Sequence, residues 1–215
     1  MTIGRLRGLA WVVVVLAIVG IGIWAARHEA GGPQTAAVPA APSAGGEMKP
    51  VAGVGGAFTL TDQHGRRFTE ADLLGKPTAM FFGYTFCPDV CPTTLLEVEG
   101  WMRELGADAD RLRVVFVTVD PERDTAEKLA TYLANFDPRF IGLSGSRAEI
   151  DRIVKAYRVV ARKVDNPGGD YTMDHTAAVY LLDAQGRFVA IVNFQEATDK
   201  ALIKVRRLIA AAKGA

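Results

Sequence analysis

Hydrophobic and polar positions divide the chain into three stretches of different character. From Gly8 to Ala26 there are 19 residues without a charge, GLAWVVVVLAIVGIGIWAA, with Arg5 and Arg7 before them and Arg27 just after. That length suits the hydrocarbon core of a bilayer, Trp11 and Trp24 stand near the two ends where indoles prefer to sit, and the basic start places the N-terminus in the cytoplasm. A cleaved signal peptide shares the basic start, but it has a shorter apolar run followed by small residues, and Ile23 and Trp24 occupy those positions here. An uncleaved anchor is the expectation. Arg27 to Val51 is a run of Ala, Gly and Pro with almost nothing large to bury, which reads as a tether. The organisation expected is a cytoplasmic start at 1–7, a transmembrane anchor at 8–26, a flexible tether at 27–51 and one folded domain at 52–215, a comfortable size for a single core.

Within that domain the patterns alternate between strand and helix. Ala57–Leu60 and Arg67–Phe68 flank the turn Asp62-Gln63-His64-Gly65, as in a short hairpin. Pro77–Tyr84, PTAMFFGY, is an apolar run of strand length, and Pro92–Leu105 places Leu95, Leu96, Val98, Met102 and Leu105 at mostly helical spacing. Leu112–Val119 is β-branched and apolar throughout, which suits a strand covered on both faces. Asp124 with Glu127 reads as the capped start of a helix over 125–135, and Ser146 with Glu149 as another ending near Tyr157. Thr176–Leu182 and Phe188–Phe194 flank Asp183-Ala184-Gln185-Gly186 as a hairpin, and a last amphipathic helix runs over 198–212. Strand, helix, strand, helix, hairpin, helix predicts a thioredoxin-like α/β sandwich.

Composition removes several functions. With 25 Lys+Arg against 24 Asp+Glu the formal charge is +1, so nothing asks for nucleic acid as a partner. The 2 cysteines, Cys87 and Cys91, are too few for a disulfide scaffold, a four-cysteine zinc module or an ordinary iron–sulfur cluster. No C-x-x-C-H occurs, which excludes haem attachment.

The chemistry concentrates in FFGYTFCPDVCPTTL, where a strand runs into Cys87-Pro88-Asp89-Val90-Cys91-Pro92 and then a helix. A proline disfavours the α region for the residue before it, so both cysteines are expected in the connecting loop. Pro92 fits the first helical position, which makes Cys91 the expected N-cap, with its sulfur at the positive end of the helix dipole and its thiolate favoured. Free cysteines are usually small buried hydrophobes, but packing gives no reason for two to share one loop bracketed by prolines. A structural disulfide across so short a loop adds little constraint, so a Cys87–Cys91 bond is expected to be a switchable redox bond.

Soft thiolates joined by an imidazole suit copper(I), and the third ligand must come from outside the loop. Of the 3 histidines, His28 lies in the tether and His64 in a polar turn, where both read as exposed and inert. His175 stands at the entrance to the strand ending at Leu182, after the loose segment VDNPGGDYTMD. In a thioredoxin-like sheet that entrance faces the start of the first helix.

YTFCPDVCPTTL, DPERDT, KPTAMFFGY and DYTMDHTAAVYLLD together resemble the SCO/SenC proteins, copper chaperones of cytochrome c oxidase assembly, from about Gly56 to Ala210 and with a similar anchor and tether ahead. The resemblance implies that Cys87, Cys91 and His175 are copper ligands on a thioredoxin fold with a family-specific insertion. It implies a cytochrome c oxidase copper-binding subunit as the recipient, with other copper chaperones or thioredoxin-like proteins as further partners. Asp174 is a candidate for orienting His175, and Asp89 for a weak oxygen ligand or a docking charge, against solvated roles for both. Asp120, Arg123 and Asp124 end a strand near the same face, with Asp124 assigned to capping. Phe82, Tyr84 and Phe86 are candidates to shield a metal, although core packing also accounts for them.

Two functions follow. One is a membrane-tethered, non-enzymatic copper metallochaperone in a bacterial inner membrane, single-pass, with its C-terminal domain in the periplasm. The other is a thiol–disulfide oxidoreductase that reduces the cysteines of a copper-receiving protein. A thioredoxin-type catalyst ordinarily has C-x-x-C facing a proline, whereas this chain has C-x-x-x-C facing His175, which favours copper.

Overall fold

The computed structural model describes residues 48–212. The expected anchor and most of the tether lie outside the described residues. Among the described residues no helix is long and apolar enough to cross a membrane.

The chain begins with β1 (Thr59–Asp62) and β2 (Arg67–Thr69), the predicted hairpin. Next come β3 (Thr78–Gly83), α1 (Val90–Leu105), β4 (Arg113–Thr118), α2 (Ala126–Leu133), β5 (Ile141–Ser144) and α3 (Arg147–Ala156). They are followed by β6 (Ala161–Asp165), β7 (Tyr171–His175), β8 (Ala178–Leu182), β9 (Phe188–Asn193) and α4 (Thr198–Ala211). Seven strands form one sheet in the order β2-β1-β5-β4-β3-β8-β9, with β3, β4 and β5 parallel and β8 antiparallel to β3. The parallel centre, with helices between its strands and an antiparallel hairpin at one side, is the thioredoxin-like α/β arrangement that the element order predicts. All six residues of β3 are buried, and so are five of six in β4, which explains why both read as continuous apolar runs.

Alternation along β3 decides what reaches each face. Phe82 packs edge-on against Tyr180 and tilted against Tyr157, just past α3. Phe81 and Gly83 point the other way, toward Phe116 and the start of α1. Burying an aromatic side chain of this size contributes about 1.5–3 kcal/mol, so packing on both faces resists any shift of this central strand.

Three local expectations are corrected. The helix after β4 is capped by Thr125, whose side chain accepts from the Lys128 backbone N–H, so Asp124 is free for another task. Strand β5 was not expected, because IGLS is short and carries a glycine and a serine. The segment 164–174, expected to be loose, lies mostly in the antiparallel hairpin of β6 and β7, with register Ala161↔His175 through Asp165↔Tyr171.

Candidate metal centre

Antiparallel pairing of β8 with β3, with Phe81 opposite Val179, sets the residues just before β8 beside those just past the end of β3. The first group contains His175 and the second leads into Cys87 and Cys91. The Sγ atoms of Cys87 and Cys91 and a ring nitrogen of His175 all lie within 4.8 Å of one another, the one such cluster of three donors among the described residues. Cys91 Sγ is 3.4 Å from His175 Nε2, and Cys87 Sγ accepts from the Cys91 backbone N–H at 3.4 Å.

His175 Nδ1 lies 3.3 Å from the Thr176 carbonyl, which can only accept, so in the tautomer with the proton on Nδ1 this contact is a hydrogen bond and Nε2, on the sulfur side, is the nitrogen offered to a metal. The ring is held edge-on by Tyr84 at 5.8 Å and Phe81 at 6.0 Å between centroids. Phe82, a candidate shield, faces the opposite side of the sheet. Phe86 is 56% exposed at the rim.

The cysteines differ from expectation. Helix α1 starts at Val90 with Asp89 as N-cap, so Cys91 sits in its first turn and Pro92 directly after it. Proline is accepted there because first-turn N–H groups have no acceptor within the helix, and the bias it places on Cys91 is overridden. The helix start therefore serves Cys87, whose sulfur receives the Cys91 N–H, and leaves Cys91 fully buried. The hydrogen bond with Cys91 brings the Cys87 thiol down to about 3, against the opposing effect of burial, with help from His175. The hydrogen bond with Cys87 and burial push the Cys91 thiol well above its ordinary value. One thiolate and one thiol result, with the charge on the half-buried Cys87.

A pH test of reactivity follows. The Cys87 thiolate is already formed at neutral pH, so raising the pH adds almost none. Its alkylation by iodoacetamide, followed by peptide mass spectrometry, should be nearly constant from about pH 6 to about pH 8, whereas a free thiol of pKa about 8.5 gains roughly tenfold per unit. Cys91 should react only after Cys87. A Cys87 rate that climbs tenfold per unit would contradict the assignment.

Close packing fixes the buried sulfur. A Cβ at Gly83 would stand 2.8 Å from Cys91 Sγ and 2.8 Å from the Phe116 ring, so the strand can pass beneath this sulfur only as glycine. Asp124 secures the approach to the cysteines. Its Oδ1 accepts from Thr85 Oγ1 at 2.6 Å, and its Oδ2 from the Thr85 N–H at 3.0 Å and Thr118 Oγ1 at 2.6 Å. Burial raises this carboxyl above its ordinary value, and the three hydrogen bonds offset only part of that rise. Asp124 is thus a buried brace on Thr85, two residues before Cys87, a role its sequence position hid behind a capping pattern.

The other candidates lie outside the donor cluster. Asp174 Oδ2 takes a 2.6 Å ion pair from Arg162 across the hairpin, while His175 uses Thr176 instead. Asp89 Oδ1 accepts from Thr93 Oγ1 at 3.3 Å on the exposed helix start. His64 is exposed in the β1–β2 turn, and His28 lies outside the described residues.

The SCO1/SenC family pattern matches residues 46–210. The chain belongs to the SCO1/SenC family. It is 39% identical over 154 residues to "Protein SCO1 homolog 1, mitochondrial" of Arabidopsis thaliana, covering 71% of this chain and 45% of that one. The solved structure of Bradyrhizobium japonicum ScoI with copper bound is 50% identical, with a TM-score of 0.68 over 72% of this chain and 99% of that one. A structure described as a disulfide switch in BsSco, a member of the Sco family of cytochrome c oxidase assembly proteins, is 25% identical, with a TM-score of 0.61 over 75% of this chain and 96% of that one. This SCO1/SenC chain spans about half the length of the curated relatives it matches.

Proposed function

We propose that this SCO1/SenC protein is a membrane-tethered copper metallochaperone that carries one copper(I) on Cys87, Cys91 and His175 and passes it to the copper-binding subunit of cytochrome c oxidase during assembly. The observation that supports it is the convergence of two sulfurs and one imidazole nitrogen within 4.8 Å. Thiolate and imidazole are the donors that soft copper(I) favours, and a structural zinc site of the usual kind needs four. Three ligands leave a side of the cargo open, so an incoming donor can attach before the original ones let go. Cys87, the more exposed sulfur, is the ligand an acceptor would replace first, and Cys91, with no exposed surface, the last.

The apolar run 8–26 anchors the chain in a bacterial inner membrane, the segment 27–51 gives reach, and the domain 52–215 works in the periplasm. A second reading is favoured by the unequal cysteines: a half-buried thiolate beside a fully buried thiol is also how a thiol–disulfide oxidoreductase attacks and then resolves a mixed disulfide with a copper-receiving or thioredoxin-like protein.

The test is made in cells. Replacing both cysteines with serine in the full-length chain should reduce the copper content and activity of the oxidase to those of a deletion strain, with the variant still present in the membrane fraction. Normal oxidase copper in that strain would overturn the proposal.

A further inference from the structure

Hairpin β6–β7 pairs with no strand of the main sheet, and an isolated two-stranded ribbon is marginal in water. Yet it ends in His175. Something must fasten it, and besides the buried Met173, whose backbone hydrogen-bonds with the Tyr84 hydroxyl, most of the polar fastening centres on one side chain. Arg123, in the turn after β4, donates from Nη1 to the Tyr171 carbonyl at 3.0 Å and to Asp170 Oδ1 at 3.2 Å. Its Nε donates to Asp120 Oδ2 at 2.5 Å, and Asp120 Oδ1 accepts from the Tyr171 hydroxyl at 2.9 Å. The guanidinium lies 3.7 Å over the Tyr171 ring, 4.8 Å from Phe86 and 5.8 Å from Tyr84. Arg123 is 14% exposed and Asp120 1%, so this ion pair is largely shielded from solvent.

Arg123 therefore touches both halves of the metal centre. Phe86 precedes Cys87, Tyr84 packs on His175, and Tyr171 begins the strand that ends at His175. The same turn braces the cysteine side through Asp124, whose backbone N–H donates to the Asp120 carbonyl at 2.9 Å. We propose that Arg123, seated on Asp120, is a positioning residue that locks the β6–β7 hairpin onto the cysteine segment and so sets the distance from His175 Nε2 to the two sulfurs. The inference rests on the proposed three-ligand site. The planar fork of arginine is what lets one side chain pair with a carboxylate, a carbonyl and a ring face together, and lysine lacks it.

The test uses the full-length chain with Arg123→Ala, Arg123→Lys, His175→Ala and the double variant His175→Ala/Arg123→Ala. In the metal-free protein, hydrogen exchange at 171–175 should accelerate roughly tenfold or more in Arg123→Ala, with β3 and β4 unchanged, and Arg123→Lys should recover part of the protection. Copper(I) affinity should fall in Arg123→Ala, but adding that change to His175→Ala should weaken it no further, because both act through the same nitrogen. Unchanged exchange at 171–175 would overturn the latch, as would an equal loss of affinity with and without His175. If His175→Ala itself leaves copper binding intact, the three-ligand reading fails, while the exchange measurement still decides whether Arg123 holds the hairpin. Should Arg123→Ala not fold, the same comparisons apply to Arg123→Lys.

Discussion

Closing a disulfide between Cys87 and Cys91 is expected to abolish copper(I) binding, lowering affinity by more than about a hundredfold, since even partners that only support a ligand are worth tenfold to a hundredfold. Both sulfurs must be available as thiolates to bind the metal, and the disulfide removes both at once. Diamide supplies the oxidation: the two thiols give up two electrons and two protons, one S–S bond forms, and diamide is reduced to the hydrazine. The unequal pair favours the closure, because the Cys87 thiolate is the attacking species and the Cys91 proton is the one lost afterwards. Copper loading is thereby linked to the thiol balance of the compartment. Titration with a copper(I) competitor before diamide, after diamide and after dithiothreitol should show binding, none, and binding restored. Equal affinity in all three samples would contradict the dithiolate site.

Much of this architecture could be read from the residues. PTAMFFGY and LRVVFVTV are buried on both faces as β3 and β4, and Ser146 with Glu149 forms the capping box that their spacing predicts. The pairing of two cysteines with His175 was also legible, because chain order in this fold brings the entrance of β8 to the end of β3. Other features depend on contacts between distant segments, which no local pattern encodes. Strand β5 is only four residues long and is held by neighbours on both sides. The β6–β7 hairpin has charged and glycine-rich sequence and is fastened from Arg123, far away in the chain. In DPERDT the capping pattern pointed to Asp124, but Thr125 performs that role and the carboxylate turns inward to Thr85 and Thr118. The proline after Cys91 suggested a helix boundary, whereas a first-turn proline costs the helix no hydrogen bond.

The substitution His175→Ala separates the two functions open to this SCO1/SenC protein. It should leave two titratable thiols and near-normal exchange with a small disulfide, because the Cys91 N–H still donates to the Cys87 sulfur. Stable copper(I) binding should fall by at least about a hundredfold, since the loss is that of a ligand rather than of a supporting group. Oxidase metallation in cells should fail with it. The alternatives within reach are poor: Asp174 is paired with Arg162, and Asp89 is a hard oxygen donor at the helix start. Full oxidase activity in a His175→Ala strain would favour the oxidoreductase.

Copper K-edge X-ray absorption on the reduced, copper-loaded full-length chain tests the proposed centre most directly. The account predicts one copper(I) per chain with two sulfur neighbours and one imidazole nitrogen, and loss of the imidazole signal in His175→Ala. A wild-type spectrum with sulfur neighbours alone, unchanged by His175→Ala, would contradict it.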